Sequence, residues 1–101
     1  MDDISRARAI AALRFRALGD ETRLHLLELL VGGEQSVADL IDLTGLGQSL
    51  VSHHLRTLRD AGLVVTRRDG RWIIYDLAPA AMSSVRGVLG ALQTLNEAHP
   101  L

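Results

Sequence analysis

A chain of 101 residues with 48% hydrophobic side chains, 3% aromatics and no cysteine holds one small domain with an aliphatic core, the composition of packed helices. The missing cysteine excludes disulfides, thiolate metal sites and thiol redox chemistry, and no apolar run approaches the roughly 20 residues of a membrane span. With two acids after Met1 in place of a basic signal-peptide start, the chain reads as soluble and cytoplasmic.

The net charge of −1 argues against a nonspecific nucleic-acid coat, but the charge is unevenly spread. Residues 1–46 carry five arginines against eight acids, whereas residues 47–76 carry five arginines against three acids. The basic surplus lies in one stretch, where a polyanion can dock.

Residues 5–18 combine Ala, Arg and Leu, with Ile10, Leu13, Ala17 and Leu18 at helical spacing, and predict a first helix closed by Gly19. Asp20 caps a second helix from Glu21 to Val31. Its apolar residues, Leu24, Leu27 and Val31 on one side with Leu26, Leu29 and Leu30 beside them, predict burial on most sides. His25 within it reads as a satisfied buried histidine. After Gly32-Gly33, Ser36 and Asp39 resemble a capping box opening a third helix, Val37 to Leu43. Residues 44–47 form a tight turn, and a fourth helix runs from Gln48 to about Ala61, ended by Gly62. Two short helices about a glycine-containing turn make a helix-turn-helix over 37–61.

Leu63–Arg68 and Arg71–Leu77 are β-branched and aromatic runs flanking Asp69-Gly70, which predicts a hairpin with a type I′ turn at those two residues. Pro79 opens a last helix over 80–96, with an apolar stripe at Ala81, Val85, Val88, Leu92 and Leu95. Gly87, Gly90 and Ala91 leave room for another helix. The expected fold is mainly α with a small β-hairpin wing: a winged helix-turn-helix of order α-α-α-α-β-β-α, one domain over 1–101, its wing at 63–77.

On the fourth helix, Ser49, Ser52, His53 and Arg56 share one arc, with Val51, Leu55 and Leu58 opposite. Such an arc is either a solvated face or an array of donors for base edges and phosphates. Its place in a helix-turn-helix, just before a basic hairpin, favours DNA. Gln48 and Ser49 stand at the helix N-terminus, where open N–H groups favour phosphate. In the hairpin, Arg67, Arg68 and Arg71 suit phosphate or minor-groove contact, and they also guard a sheet edge against aggregation. The candidate DNA-binding set is therefore Gln48, Ser49, Ser52, His53, Arg56, Arg67, Arg68 and Arg71. Trp72 and Tyr75 read as packing residues, and His54 as a core-edge residue with a hydrogen-bond partner. The sequence has no Gly-rich phosphate loop and no histidine-rich constellation, and its exposed Ser–His pairs lack an orienting acid, so an enzyme is not expected. No cofactor is expected either.

Several segments together carry a family resemblance: Ala17-Leu18-Gly19-Asp20-Glu21-Thr22-Arg23-Leu24, Ser36-Val37-Ala38-Asp39-Leu40, the run from Gln48 to Val64, and Arg71-Trp72-Ile73-Ile74-Tyr75-Asp76-Leu77. In this order they resemble the ArsR/SmtB family of dimeric bacterial repressors. The resemblance implies a recognition helix at 48–61, dimerisation through helices 5–18 and 80–96, binding of the homodimer to an imperfect inverted repeat in double-stranded DNA, and release by an effector. One metal site of the family uses cysteines before the recognition helix, where this chain has Ser36-Val37-Ala38-Asp39-Leu40. A second lies on the last helices, where the matching positions are Pro79, Ala81, Leu92 and Leu95, none of them a metal ligand. Asp2, Asp3, Glu97 and His99 near the termini make a poor substitute, so no metal site is expected. The expected function is a DNA-binding regulator, by family default a repressor. Its signal is a small molecule, a sensing partner protein or its own concentration. The alternative is a winged helix used as a protein-interaction module.

Overall fold

The computed structural model describes residues 2–98. Helix α1 (Asp3–Leu18) begins two residues earlier than expected because Asp2 caps it, its carboxylate accepting the Ser5 N–H at 2.7 Å. Asp20 caps α2 (Glu21–Val31) in the same way, accepting the Arg23 N–H at 3.0 Å. Ser36 caps α3 (Val37–Thr44) through its hydroxyl, which accepts the Asp39 N–H at 3.0 Å; that is one half of the expected capping box. Helix α4 (Gln48–Asp60) follows, then strands β2 (Val64–Asp69) and β3 (Trp72–Leu77) and helix α5 (Pro79–Ala98), preceded in the sheet by a short strand β1 (Gln35–Ser36).

Strand β1 is a correction to the two-stranded wing. Its two residues pair antiparallel with Tyr75 and Ile74, giving a three-stranded sheet of order β1-β3-β2. Two residues have no alternation to read, so the pairing has no local signature. The strand ties the start of α3 to the base of the wing.

The hairpin turn is displaced by one residue from its expected place. Asp69 pairs with Trp72, which leaves Gly70-Arg71 as the loop. Gly70 has φ +60° and among the described residues no non-glycine has positive φ, the φ pattern of a type II′ turn with glycine first and not of type I′. A turn moved by one residue shifts the β2–β3 register by two, so it changes which residues pair and leaves the inner and outer faces as they were. Val64, Thr66 and Arg68 pair with Leu77, Tyr75 and Ile73 on the core side, whereas Arg67 pairs with Ile74 on the outer side.

Leu26 and Leu30 of α2, Leu40 of α3, Val51, Leu55 and Leu58 of α4, and Leu63 are fully buried together. A buried leucine stabilises the fold by about 1.5–3 kcal/mol relative to an exposed one. Gly62 turns the chain from α4 into the wing at φ +73°, and a Cβ there would lie 3.3 Å from Arg14 Nη2. That side chain also donates from Nε to the Ala61 carbonyl at 3.1 Å, binding α1 to the end of α4.

Two expectations for α2 are overturned. It buries only the Leu26, Leu27 and Leu30 side, leaving Leu24, Val31 and His25 at the surface. Helices α1, α3 and α4 and strand β3 pack against it, and Leu24, His25 and Val31 stay exposed all the same. Helices α1 and α5 pack together. The distal half of α5 carries Leu89, Leu92 and Leu95 into solvent, and α1 exposes Ile4, Ile10 and Leu13.

Candidate nucleic-acid interface

Helix α4 is positioned by its apolar side. Val51, Leu55 and Leu58 are completely buried, and His54 joins them. The 100° step between residues then sends Gln48, Ser49, His53 and Arg56 outward, with Ser52 half-buried at the edge. The N-cap is Gly47, which supplies no side-chain acceptor, so the first-turn N–H groups remain open to an external anion.

Beside this face, a cleft of about 500 Å³ lies between α3, α4 and the wing. Gln48, Ser52, Arg56, Arg59 and Arg71 line it, together with the apolar Val37, Ile41, Trp72, Ile73 and Tyr75. Its lining has three arginines and no acid among the described residues. A second depression of about 330 Å³ is shared by Gln48, Ser49, Ser52, His53 and Arg56. The structure thus brings five sequence-predicted residues of α4 onto one surface and adds Arg71 from the wing.

Arg59 escaped the sequence reading. It falls three residues after Arg56 and seven after Ser52, a helical spacing that places it on the edge of the same arc. Trp72 was expected to be packed. Instead it is exposed at the wing tip, with the Arg71 guanidinium 4.8 Å from its ring centroid. Tyr75 is buried, as expected.

The three wing arginines do not act alike. Arg68 is exposed on the face it shares with Ile73 and Tyr75, which line the cleft. Arg67, on the outer face, is held by Glu34: Nε donates to Oε2 at 3.3 Å and Nη2 donates to Oε1. Asp69 lies a further 3.9 Å from Nη1. The bond from Arg67 holds the Glu34 carboxyl below the ordinary range, and the same bond raises the guanidinium further. This partner comes from the loop before β1, 33 residues away.

Among the described residues, no three His, Cys, Asp or Glu side chains come together as a metal site. Of the terminal group considered above, Asp2, Asp3 and Glu97 are described and exposed, while His99 lies outside the described residues. No helix among them is long and apolar enough to cross a membrane.

The family model for bacterial regulatory proteins of the arsR family matches residues 20–66. The arsenical resistance operon repressor of Staphylococcus aureus is 35% identical over 82 residues, 81% of this chain and 79% of the repressor. The chain belongs to the ArsR family. A second ArsR-type relative, the transcriptional regulator NmtR of Mycobacterium tuberculosis, is 47% identical over 72% of this chain, and the match spans 61% of NmtR's own length. Among solved structures, a homodimeric winged helix-turn-helix DNA-binding domain from Mycobacterium bovis superposes with a TM-score of 0.75 at 28% identity. That superposition covers all of this ArsR-family chain and 91% of the other. The winged helix-turn-helix fold and ArsR membership stand on these findings.

Proposed function

We propose that this ArsR-family protein is a transcriptional repressor that binds double-stranded operator DNA as a homodimer in the cytoplasm. In this reading α4 is the recognition helix, the wing grips the flanking backbone, and α1 and α5 form the dimer. One observation carries the reading. Three fully buried residues lock the orientation of α4, so that Gln48, Ser49, His53 and Arg56 face outward beside an arginine-lined cleft. Ser52, His53 and Arg56 read base edges; Arg56, Arg59, Arg68 and Arg71 meet phosphates. The exposed leucines of α5 and the apolar residues of α1 supply the surface a second copy would cover, and the Mycobacterium bovis domain is itself homodimeric. The chain's own Pro79, Ala81, Leu92 and Leu95 offer no metal ligand where the family resemblance places one, so the proposed signal is not a metal at that position.

The test begins by selecting bound fragments from genomic DNA with the purified protein. Replacing Ser52, His53 and Arg56 together by alanine should abolish binding to the recovered operator. Retained operator binding would refute the assignment of the reading face and leave the protein-interaction reading. Titrating nickel, zinc or cobalt should leave operator affinity unchanged, and a large change would refute the proposed kind of signal.

A further inference from the structure

A buried polar cluster at the α1–α2 corner holds, from its inner side, the helix that forms the DNA-facing surface. His54 lies on the apolar side of α4 and is only 8% exposed. Its Nδ1 stands 3.1 Å from Arg23 Nη1. A guanidinium has donors and no acceptor, so Nδ1 accepts and the imidazole is the neutral Nε2–H tautomer. The same guanidinium donates from Nε to the Ala17 carbonyl at 2.6 Å and from Nη2 to the Arg16 carbonyl at 3.4 Å. One side chain thereby joins the C-terminal end of α1, the first turn of α2 and the middle of α4.

We infer that Arg23 and His54 form a clasp that positions the recognition helix against the dimer-forming α1, and that protonation of His54 opens it and weakens DNA binding. The second half rests on the function proposed above; the clasp itself does not. A protonated Nδ1 would point a donor at a donor. It would also set a second cation 3.1 Å from the guanidinium at a nearly buried position, where like charges are poorly screened. The surrounding groups offer little compensation. From α2 the facing charges are Arg23 and Asp20, and Asp20 is already engaged by the Arg23 N–H at 3.0 Å and lies 4.0 Å from its Nη1. From α1 the cluster receives the Arg16 and Ala17 carbonyls, with the Arg14 guanidinium farther along at Ala61. On α4 itself the neighbour is the His53 ring, its centroid 5.5 Å away.

His53 makes the sign of the effect diagnostic. It is exposed on the DNA-facing arc, so its protonation would add positive charge there and strengthen DNA binding in acid. Opening the clasp at His54 acts in the opposite direction. The experiment therefore uses the whole protein carrying His53→Gln and a fluorescein-labelled duplex of the selected operator. Anisotropy is read at constant salt at about pH 7.5 and about pH 5.5, across the range in which imidazoles titrate. Affinity should fall on acidification. With His54→Asn added, the profile should be flat, because the amide Oδ1 stands where Nδ1 does, can accept the same bond and does not titrate. A fall of equal size in both proteins, or none in the first, overturns the switch. A readout independent of DNA is long-range ¹H–¹⁵N spectroscopy of the wild-type protein. It should show the Nε2–H tautomer at His54 near neutrality. An Nδ1–H tautomer overturns the clasp even if His54→Asn fails to fold. If the wild-type protein binds no DNA at any pH while the spectra are as expected, the proposed function fails and the clasp stands.

Discussion

Replacing Glu34 by glutamine tests whether the wing holds one of its arginines in reserve. Arg56, Arg59, Arg68 and Arg71 have no acidic partner among the described residues, whereas Arg67 is bound to Glu34 through two nitrogens. If the four unpaired arginines each meet a phosphate, a dimer makes about eight contacts and log K falls with log salt at a slope of about −7. Freeing Arg67 adds about two contacts per dimer, which steepens the slope by up to about 1.8 and raises affinity at 0.1 M salt by at most about sixtyfold. The pair is half-exposed on both sides, 52% and 48%, and is already screened by solvent, so the gain should fall well inside that bound, at roughly three- to twentyfold. The assay is fluorescence anisotropy of an operator duplex from about 0.05 to about 0.3 M salt, with Arg67→Gln and the double variant completing the cycle. The gain should vanish when Arg67 is also replaced. Unchanged affinity and slope in Glu34→Gln, or a gain that survives in the double variant, would refute the reasoning.

Leu58→Ala removes a fully buried side chain from the inner face of α4 and should cost about 2–5 kcal/mol, read as a lower urea midpoint with the m-value unchanged. Leu92→Glu together with Leu95→Glu places charges on the exposed stripe of α5; sedimentation should then show a monomer, and operator affinity should fall with it. The N-cap carboxylate of Asp20 is held below the ordinary range, first by the Arg23 N–H bond. Its folded value lies under its unfolded one, so its stabilisation is present above about pH 4 and is lost as pH falls through the folded value. Denaturation followed by circular dichroism across that range should show a shallower acid decline in Asp20→Asn, while an identical decline would contradict the assignment.

The sequence alone determined the order of the five helices and the hairpin, and the two faces of α4, because helix periodicity, capping and turn signals act over a few residues. Asp20, Ser36 and the Val51–Leu55–Leu58 spacing are local signals, and each does in the fold what it promises in the chain. The α5 stripe was equally legible: Ala81 enters the core, while Leu92 and Leu95 reach solvent on the surface proposed for a second copy.

Only the tertiary structure decided which arginines are available. Strand register is a pairing between distant segments, and only the packed sheet sets Arg67 against Glu34 while Arg68 shares a face with the cleft-lining residues of β3. The pairing of Gln35-Ser36 with β3, the entry of Arg59 into the cleft and the exposure of His25 likewise depend on what other elements do. Hydrogen bonds and ion pairs between residues some thirty positions apart, such as Arg67 with Glu34 and Arg23 with His54, leave no period in the chain. They exist once the buried leucines have fixed the distances between helices and sheet, so packing settles them and local pattern does not.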